Sequence, residues 1–273
     1  MELAIPGGPT IGYDVTGEGS PVLLIAGTGC DRLWWAPQVE AFARRHTVIT
    51  CDMRGAGRST IYDDPGDYGS DLMAGDAAAL IEHLGLGPVH VMGHSLGSCI
   101  VQELALRRPD LLRSAQLHAT WGHADEWLAR AFVGTMRYLV DRGDPHAAWR
   151  TVGMWIFSPR YLAERTPESV AQTVSAAFIT NEHLDAGNGL RGHLDADARH
   201  DTRGRLSGLT TPTLVTAGEL DVCIPPRYGE EVAAELPLAR WHLFAGARSA
   251  HAYTMEMAEE FNHVSLGFIA DHE

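Results

Sequence analysis

One pentapeptide limits what this chain can become: Gly93-His94-Ser95-Leu96-Gly97. Val89-His90-Val91-Met92 precedes it as an apolar run with strand character, and Ser98 to Arg107 follows with the spacing of an amphipathic helix. A serine at such a strand-to-helix corner is forced into a strained backbone conformation, with its hydroxyl exposed at the strand's C-terminal edge. Glycines two residues to either side leave room for closely approaching backbone. A helix that begins at the serine aims its first amide N–H groups at whatever reacts there. The pattern predicts a nucleophile at Ser95.

The rest of the first half fits a parallel sheet around that corner. Residues 2–5 and 10–15 read as a hairpin around Pro6-Gly7-Gly8-Pro9. Val22-Leu23-Leu24-Ile25 is a continuous apolar run, as a strand buried on both faces requires. Strands are also expected at 47–51, 89–92 and 114–118, with helices at 34–45, 70–84 and 95–107. Strand and helix alternate, which predicts a sheet covered on both faces. After residue 120 the alternation stops. From Trp121 to about Ser207 the pattern is helical, interrupted at Gly143-Asp144-Pro145, Ser158-Pro159 and Thr166-Pro167, and a polar stretch from His183 to Arg205 leads out. Strands return at 213–217 and 240–244, with helices at 228–236 and 257–270. The expectation is one α/β core, residues 1–120 and 208–273, with a helical cap at 121–207.

The chain has 273 residues, 45% hydrophobic, enough for one sizeable core. A net charge of −14 repels phosphate backbones and anionic lipid, so neither nucleic acid nor a membrane is an expected partner. Met1 to Pro6 has no basic flank or long apolar run, and Cys30, Cys51, Cys99 and Cys223 form no C-x-x-C pair. A cytoplasmic protein with free thiols, a monomer or homodimer, is the expectation. No metal-ligand spacing, phosphate loop or dinucleotide fingerprint is visible, so no metal and no cofactor are expected.

A serine hydroxyl is a weak nucleophile until a base takes its proton, and that base needs an orienting carboxylate. In a parallel sheet such groups sit on loops beyond the strands' C-terminal ends. Asp221 lies in Gly218-Glu219-Leu220-Asp221-Val222-Cys223-Ile224-Pro225, just past strand 213–217, with Glu219 as its rival. Among fourteen histidines, His251 lies past strand 240–244 and just before the last helix. His90 and His242 fall inside strands, and His94 is within the pentapeptide. One oxyanion donor should be the amide of Leu96, the residue after the nucleophile.

These pieces together resemble the α/β-hydrolase superfamily over nearly the whole chain. They are the strand ending Ile25-Ala26-Gly27-Thr28, the D-x-R-G-x-G-x-S element at Asp52 to Ser59, the elbow at Ser95, the G-x-x-D-x-x-x-P element at Gly218 to Pro225, and His251 followed by Glu256 and Glu259-Glu260-Phe261. The resemblance implies a mostly parallel eight-stranded sheet and a triad in the order Ser95, Asp221, His251, and it favours Asp221 over Glu219. It places the second oxyanion amide at Thr28, with Gly29 as the fallback, and makes Asp52 and Arg54 parts of a structural turn. Two departures stand out. Ala26-Gly27 replaces the usual His-Gly, and Gly246-Ala247-Arg248-Ser249-Ala250 before His251 is longer and bulkier than the usual Gly-x-Gly.

A serine nucleophile argues against haloalkane dehalogenases and epoxide hydrolases, relatives that attack with a carboxylate. Trp34-Trp35-Ala36-Pro37-Gln38-Val39 and the cap's size are similar to 3-oxoadipate enol-lactonases and related ester hydrolases. The expected activity is hydrolysis of a small ester or lactone through an acyl-enzyme on Ser95. The alternatives are C–C hydrolysis, perhydrolysis or thioester cleavage on the same scaffold, or a ligand receptor that keeps the triad. Substrate contacts are expected from Gly29, Cys30, Trp34, His94, His118 and Val222 on the core. The cap adds Trp121, Phe132 and Trp155, among aromatics that also include Trp127, Trp149, Phe157 and Phe178.

Overall fold

The computed structural model describes residues 1–142, 145–166, 168–170, 172–173 and 188–273, without the side chains of 145–150. Its eight strands form one sheet in the order β1-β2-β4-β3-β5-β6-β7-β8. β1 (Glu2–Ala4) and β2 (Thr10–Thr16) make the antiparallel hairpin, and β2 pairs antiparallel with β4 (His46–Cys51). From there β3 (Ser20–Ile25), β5 (Val89–His94), β6 (Leu112–His118), β7 (Thr213–Gly218) and β8 (Ala239–Phe244) run parallel. β3 is central, and its apolar run from Val22 to Ile25 has no exposed surface. That is why it reads as continuous rather than alternating.

Helices α1 (Ala36–Phe42), α2 (Ser70–Leu84), α3 (Leu96–Arg107) and, after the insert, α8 (Pro226–Glu235) connect the strands. The helix expected at 257–270 is α10 (Ala258–Ala270), and a short helix, α9 (Tyr253–Glu256), precedes it. Between β6 and β7 the chain forms a π-helical turn at Trp127–Val133, then α4 (Gly134–Asp141), α5 (Pro145–Ile156), α6 (Pro159–Ala163) and α7 (Asn188–Arg199). The side chain of Trp149, and Phe178 altogether, lie outside the described residues, as do most of the interruptions read at 143–145 and 166–167.

α7 is docked on the core. A Cβ at Gly189 would meet the Gly55 carbonyl oxygen at 2.2 Å, and one at Gly192 would meet the Tyr68 ring at the same distance. Glycine at these positions lets the helix backbone lie directly on the turn after β4 and on the Tyr68 ring. That turn is structural, as the resemblance implied. Buried Asp52 accepts the amides of Arg32 and Arg58 at 2.8 and 3.1 Å, and Arg54 forks onto Asp76 at 2.6 and 2.7 Å. Among the described residues, no helix is long and apolar enough to cross a membrane.

Candidate active site

Ser95 stands where β5 ends and α3 begins, with φ +54° and ψ −126°. Positive φ is rare for a residue with a Cβ and costs on the order of 1–3 kcal/mol. The surrounding contacts impose it. The Ser95 amide donates to the His118 carbonyl at 2.9 Å, and Ser98 donates to the Ser95 carbonyl through both its amide and its hydroxyl. A Cβ at Gly93 would lie 2.2 Å from the Gly97 carbonyl oxygen, and one at Gly97 would lie 2.2 Å from that of Ile25. Both glycines of the pentapeptide are therefore steric necessities.

Asp221 is buried on the loop after β7. Its Oδ1 accepts the amides of Cys223 and Ile224 at 2.9 and 2.7 Å, and its Oδ2 meets His251 Nδ1 at 2.7 Å. The rival Glu219 turns outward and accepts the Gly246 amide. The longer segment before His251 folds into a turn in which Ser249 bonds back to Gly246. The Ser249 carbonyl then accepts the Leu220 amide at 2.9 Å, which ties the two loops together and seats His251 against Asp221.

His251 and Ser95 face one narrow cavity of about 30 Å³. Gly27 and Thr28, from the loop after β3, border it, and a Cβ at Gly27 would lie 2.9 Å from that of Ser95. Cys30, Trp34 and His94 line its core side, and Phe132, Val152 and Ile156 of the insert close it. His94 stacks on Trp34 with ring centroids 4.9 Å apart and donates from Nε2 to the His251 carbonyl at 3.0 Å. Burial, and then the neighbouring His251, hold His94 well below the ordinary imidazole range. It braces His251 as an uncharged ring.

Several expected substrate contacts sit elsewhere. His118 is fully buried, bonds Thr216 Oγ1 at 2.7 Å and packs on Phe261, away from the cavity lining. Trp121 is buried where the insert leaves β6, its carbonyl accepting Gln102 Nε2 at 3.0 Å. Trp155 stands one layer back, its ring 5.9 Å from that of Phe132. Val222 points to solvent, 52% exposed. The Gly29 amide, the fallback oxyanion donor, is engaged with His193 Nδ1 at 2.9 Å. Leu96 is buried as the first residue of α3.

Two residues of α7 were not legible as part of this site. His193 accepts from Gly29 and donates from Nε2 to the Arg54 carbonyl at 2.7 Å, a pairing that requires the neutral ring. Burial pushes its pKa down to about 4. One turn later Asp197 Oδ2 lies 2.7 Å from Thr28 Oγ1. The sequence signal was an i, i+4 pair of polar residues on one helix face, inside a stretch that reads as generally polar.

A strained serine at the end of a central parallel strand, with an acid and a histidine on later strand-end loops in chain order, is the architecture of the α/β hydrolases. The chain belongs to that family, whose model for the alpha/beta hydrolase fold matches residues 20–251. It is 32% identical over 271 residues to the provisionally named carbamate hydrolase RutD of Azorhizobium caulinodans, covering 99% of each chain. It is 34% identical to the provisionally named non-heme bromoperoxidase BpoC of Mycobacterium tuberculosis, covering 95% of this chain and 97% of that one. The enol-lactonase of Burkholderia xenovorans shares the fold, with a TM-score of 0.87 at 24% identity and coverage of 99% and 100%.

Proposed function

We propose that the protein is a serine hydrolase that cleaves small carboxylic esters or lactones through an acyl-enzyme. Ser95 is the nucleophile, His251 its general base and later the acid for the leaving group, and Asp221 the residue that orients His251. The amides of Thr28 and Leu96 hold the oxyanion, and residues 121–207 act as the cap that selects substrate. The observation that carries this reading is the 2.7 Å contact between His251 Nδ1 and Asp221 Oδ2 beside a cavity that Ser95 also faces. With Nδ1–H on the carboxylate, Nε2 is the nitrogen free to accept a proton.

The cavity's small volume and its apolar wall of Phe132, Val152 and Ile156 support a short acyl group. The name of one relative, carbamate hydrolase, points to a similarly small carbonyl compound. A carbamate is the second reading, because its carbonyl accepts the same serine attack and its amino group is no larger than a methyl.

The test compares p-nitrophenyl acetate, butyrate and octanoate, and a phenyl carbamate, on the intact enzyme and on Ser95→Ala. Ser95→Ala should abolish turnover while leaving the fold intact. A fluorophosphonate should label Ser95. Undiminished hydrolysis by Ser95→Ala would overturn the mechanism, and a preference for octanoate would overturn the short acyl group.

A further inference from the structure

We propose that α7 completes the oxyanion site from the insert: Asp197, kept as the uncharged acid, donates its proton to Thr28 Oγ1 and so turns the Thr28 hydroxyl hydrogen into the cavity as a further oxyanion donor. The inference rests on the acyl-enzyme reading above and adds to it a control by pH.

The contact itself, 2.7 Å between Thr28 Oγ1 and Asp197 Oδ2, admits two arrangements of protons. With a carboxylate, the threonine O–H must point at Asp197, and the side chain has no hydrogen left to donate into the cavity that Thr28 lines. With a carboxylic acid, the proton on Oδ2 occupies one lone pair of Oγ1, and the hydroxyl hydrogen is free to turn toward the reacting carbonyl.

The surroundings select the acid. Asp197 is 1% exposed, and among the described residues its Oδ1 has no hydrogen-bond partner. A buried carboxylate with one oxygen unpartnered is costly, whereas a neutral acid tolerates it better. The groups that face it come from three core elements. They are Thr28 and Cys30 on the loop after β3, Cys99 on α3, and Cys223 on the loop after β7, three thiols that would feel a charge on it. The same thiols lie in the field of Asp31, Glu103 and Asp221, all of like sign. On its own helix, His193 is uncharged. Burial accordingly pushes the Asp197 carboxyl up to about 8, against a smaller pull downward from the Thr28 hydroxyl.

His193 serves the same loop. By engaging the Gly29 amide while bound to the Arg54 carbonyl, it fixes the backbone that follows Thr28. Both are positioning residues, since each acts on the reacting atoms through the loop. When Asp197 ionises above about pH 8, the Thr28 hydroxyl turns back to it and a negative charge appears behind the developing oxyanion. Both changes lower kcat, because an oxyanion donor contributes only in the transition state; loss of one such donor typically costs about 10²–10³.

The experiment measures p-nitrophenyl acetate turnover, corrected for spontaneous hydrolysis, across about pH 6 to 10. The intact enzyme should show kcat falling on an alkaline limb near pH 8. Asp197→Ala and Thr28→Val should each lower kcat at neutral pH by about 10²-fold, with KM changing much less. Asp197→Asn, whose amide N–H donates to Thr28 Oγ1 at every pH, should recover kcat to within about tenfold and lose the limb. The same limb in Asp197→Asn, or an unchanged kcat in Thr28→Val, would overturn the inference. If Asp197→Ala fails to fold, the other two variants decide. Ser95→Ala runs alongside: turnover surviving there defeats the serine reading, whereas turnover lost there with the limb kept in Asp197→Asn defeats this inference alone.

Discussion

Two buried aspartates, each bonded to a residue that lines the Ser95 cavity, come from different regions of the molecule and have different surroundings. Asp221, on a core loop, is met by three N–H donors: two backbone amides and His251 Nδ1. Asp197, on the last helix of the insert, is met by one hydroxyl, with its second oxygen unpartnered among the described residues. A loop that turns back on itself can present successive amides to one carboxylate. A helix interior cannot, because its own amides are taken by carbonyls four residues earlier. The core loop thus builds a place for an acceptor and the helix a place for an acid. On the readings proposed above, the same residue type orients a base in one region and supplies a proton in the other.

Exchanging each aspartate for asparagine should separate the two most sharply. Asp221→Asn replaces the acceptor of His251 Nδ1–H with a group that can present N–H instead, which favours the wrong tautomer. By analogy with the serine-protease triad it should lower kcat by about 10⁴. Asp197→Asn keeps a donor toward Thr28 and should lower kcat at neutral pH by no more than about tenfold. Equal losses in the two variants would break the comparison.

A second measurement concerns stability. The Asp197 carboxyl sits at about 8 when folded, against an ordinary value of 3.8. Between these values the folded chain holds a proton that the unfolded chain has released. The stability this group contributes is therefore complete below its unfolded pKa and is lost as pH rises to about 8. Denaturant unfolding of the intact protein and of Asp197→Asn, at several pH values in that window, should show the intact protein losing ground to the variant. The slope should be at most about 1.4 kcal/mol per pH unit. A difference independent of pH would mean that Asp197 is ionised like any other carboxyl.

The smallest effect is expected where the insert only shapes the cavity. Phe132→Ala should shift preference toward longer acyl chains by about tenfold, since one methylene in an apolar pocket is worth about 1–3 kcal/mol. Trp155→Ala, one layer behind, should do less. Kinetics on the ester series check this, and neither variant should move the pH profile. A pH profile that moved with Phe132→Ala would tie the wall to the chemistry and blur the division between the regions.

Much of the core was legible because its signals are local. All eight strands are expected from the sequence, β3 and β5 from apolar runs, and Gly93 and Gly97 are demanded by the corner they flank. The insert was legible as helical but not as a lining. Its aromatics share one composition, while Phe132 reaches the cavity, Trp155 backs it and Trp121 packs below. Helical periodicity reports which face is apolar, not which apolar neighbour it meets.

By itself the sequence determined the sheet, the strained Ser95, and a carboxylate and a histidine at later strand ends, because strand period, turn sterics and chain order are properties of neighbouring residues. Only the tertiary structure decided that Asp221 and not Glu219 meets His251, that His118 faces away, and that the Gly29 amide is taken by His193. It alone brought Asp197 to Thr28, from 169 positions along the chain, into a place with too few donors for a charge. Burial and hydrogen-bond supply depend on what the fold assembles around a group, and no window of sequence contains that.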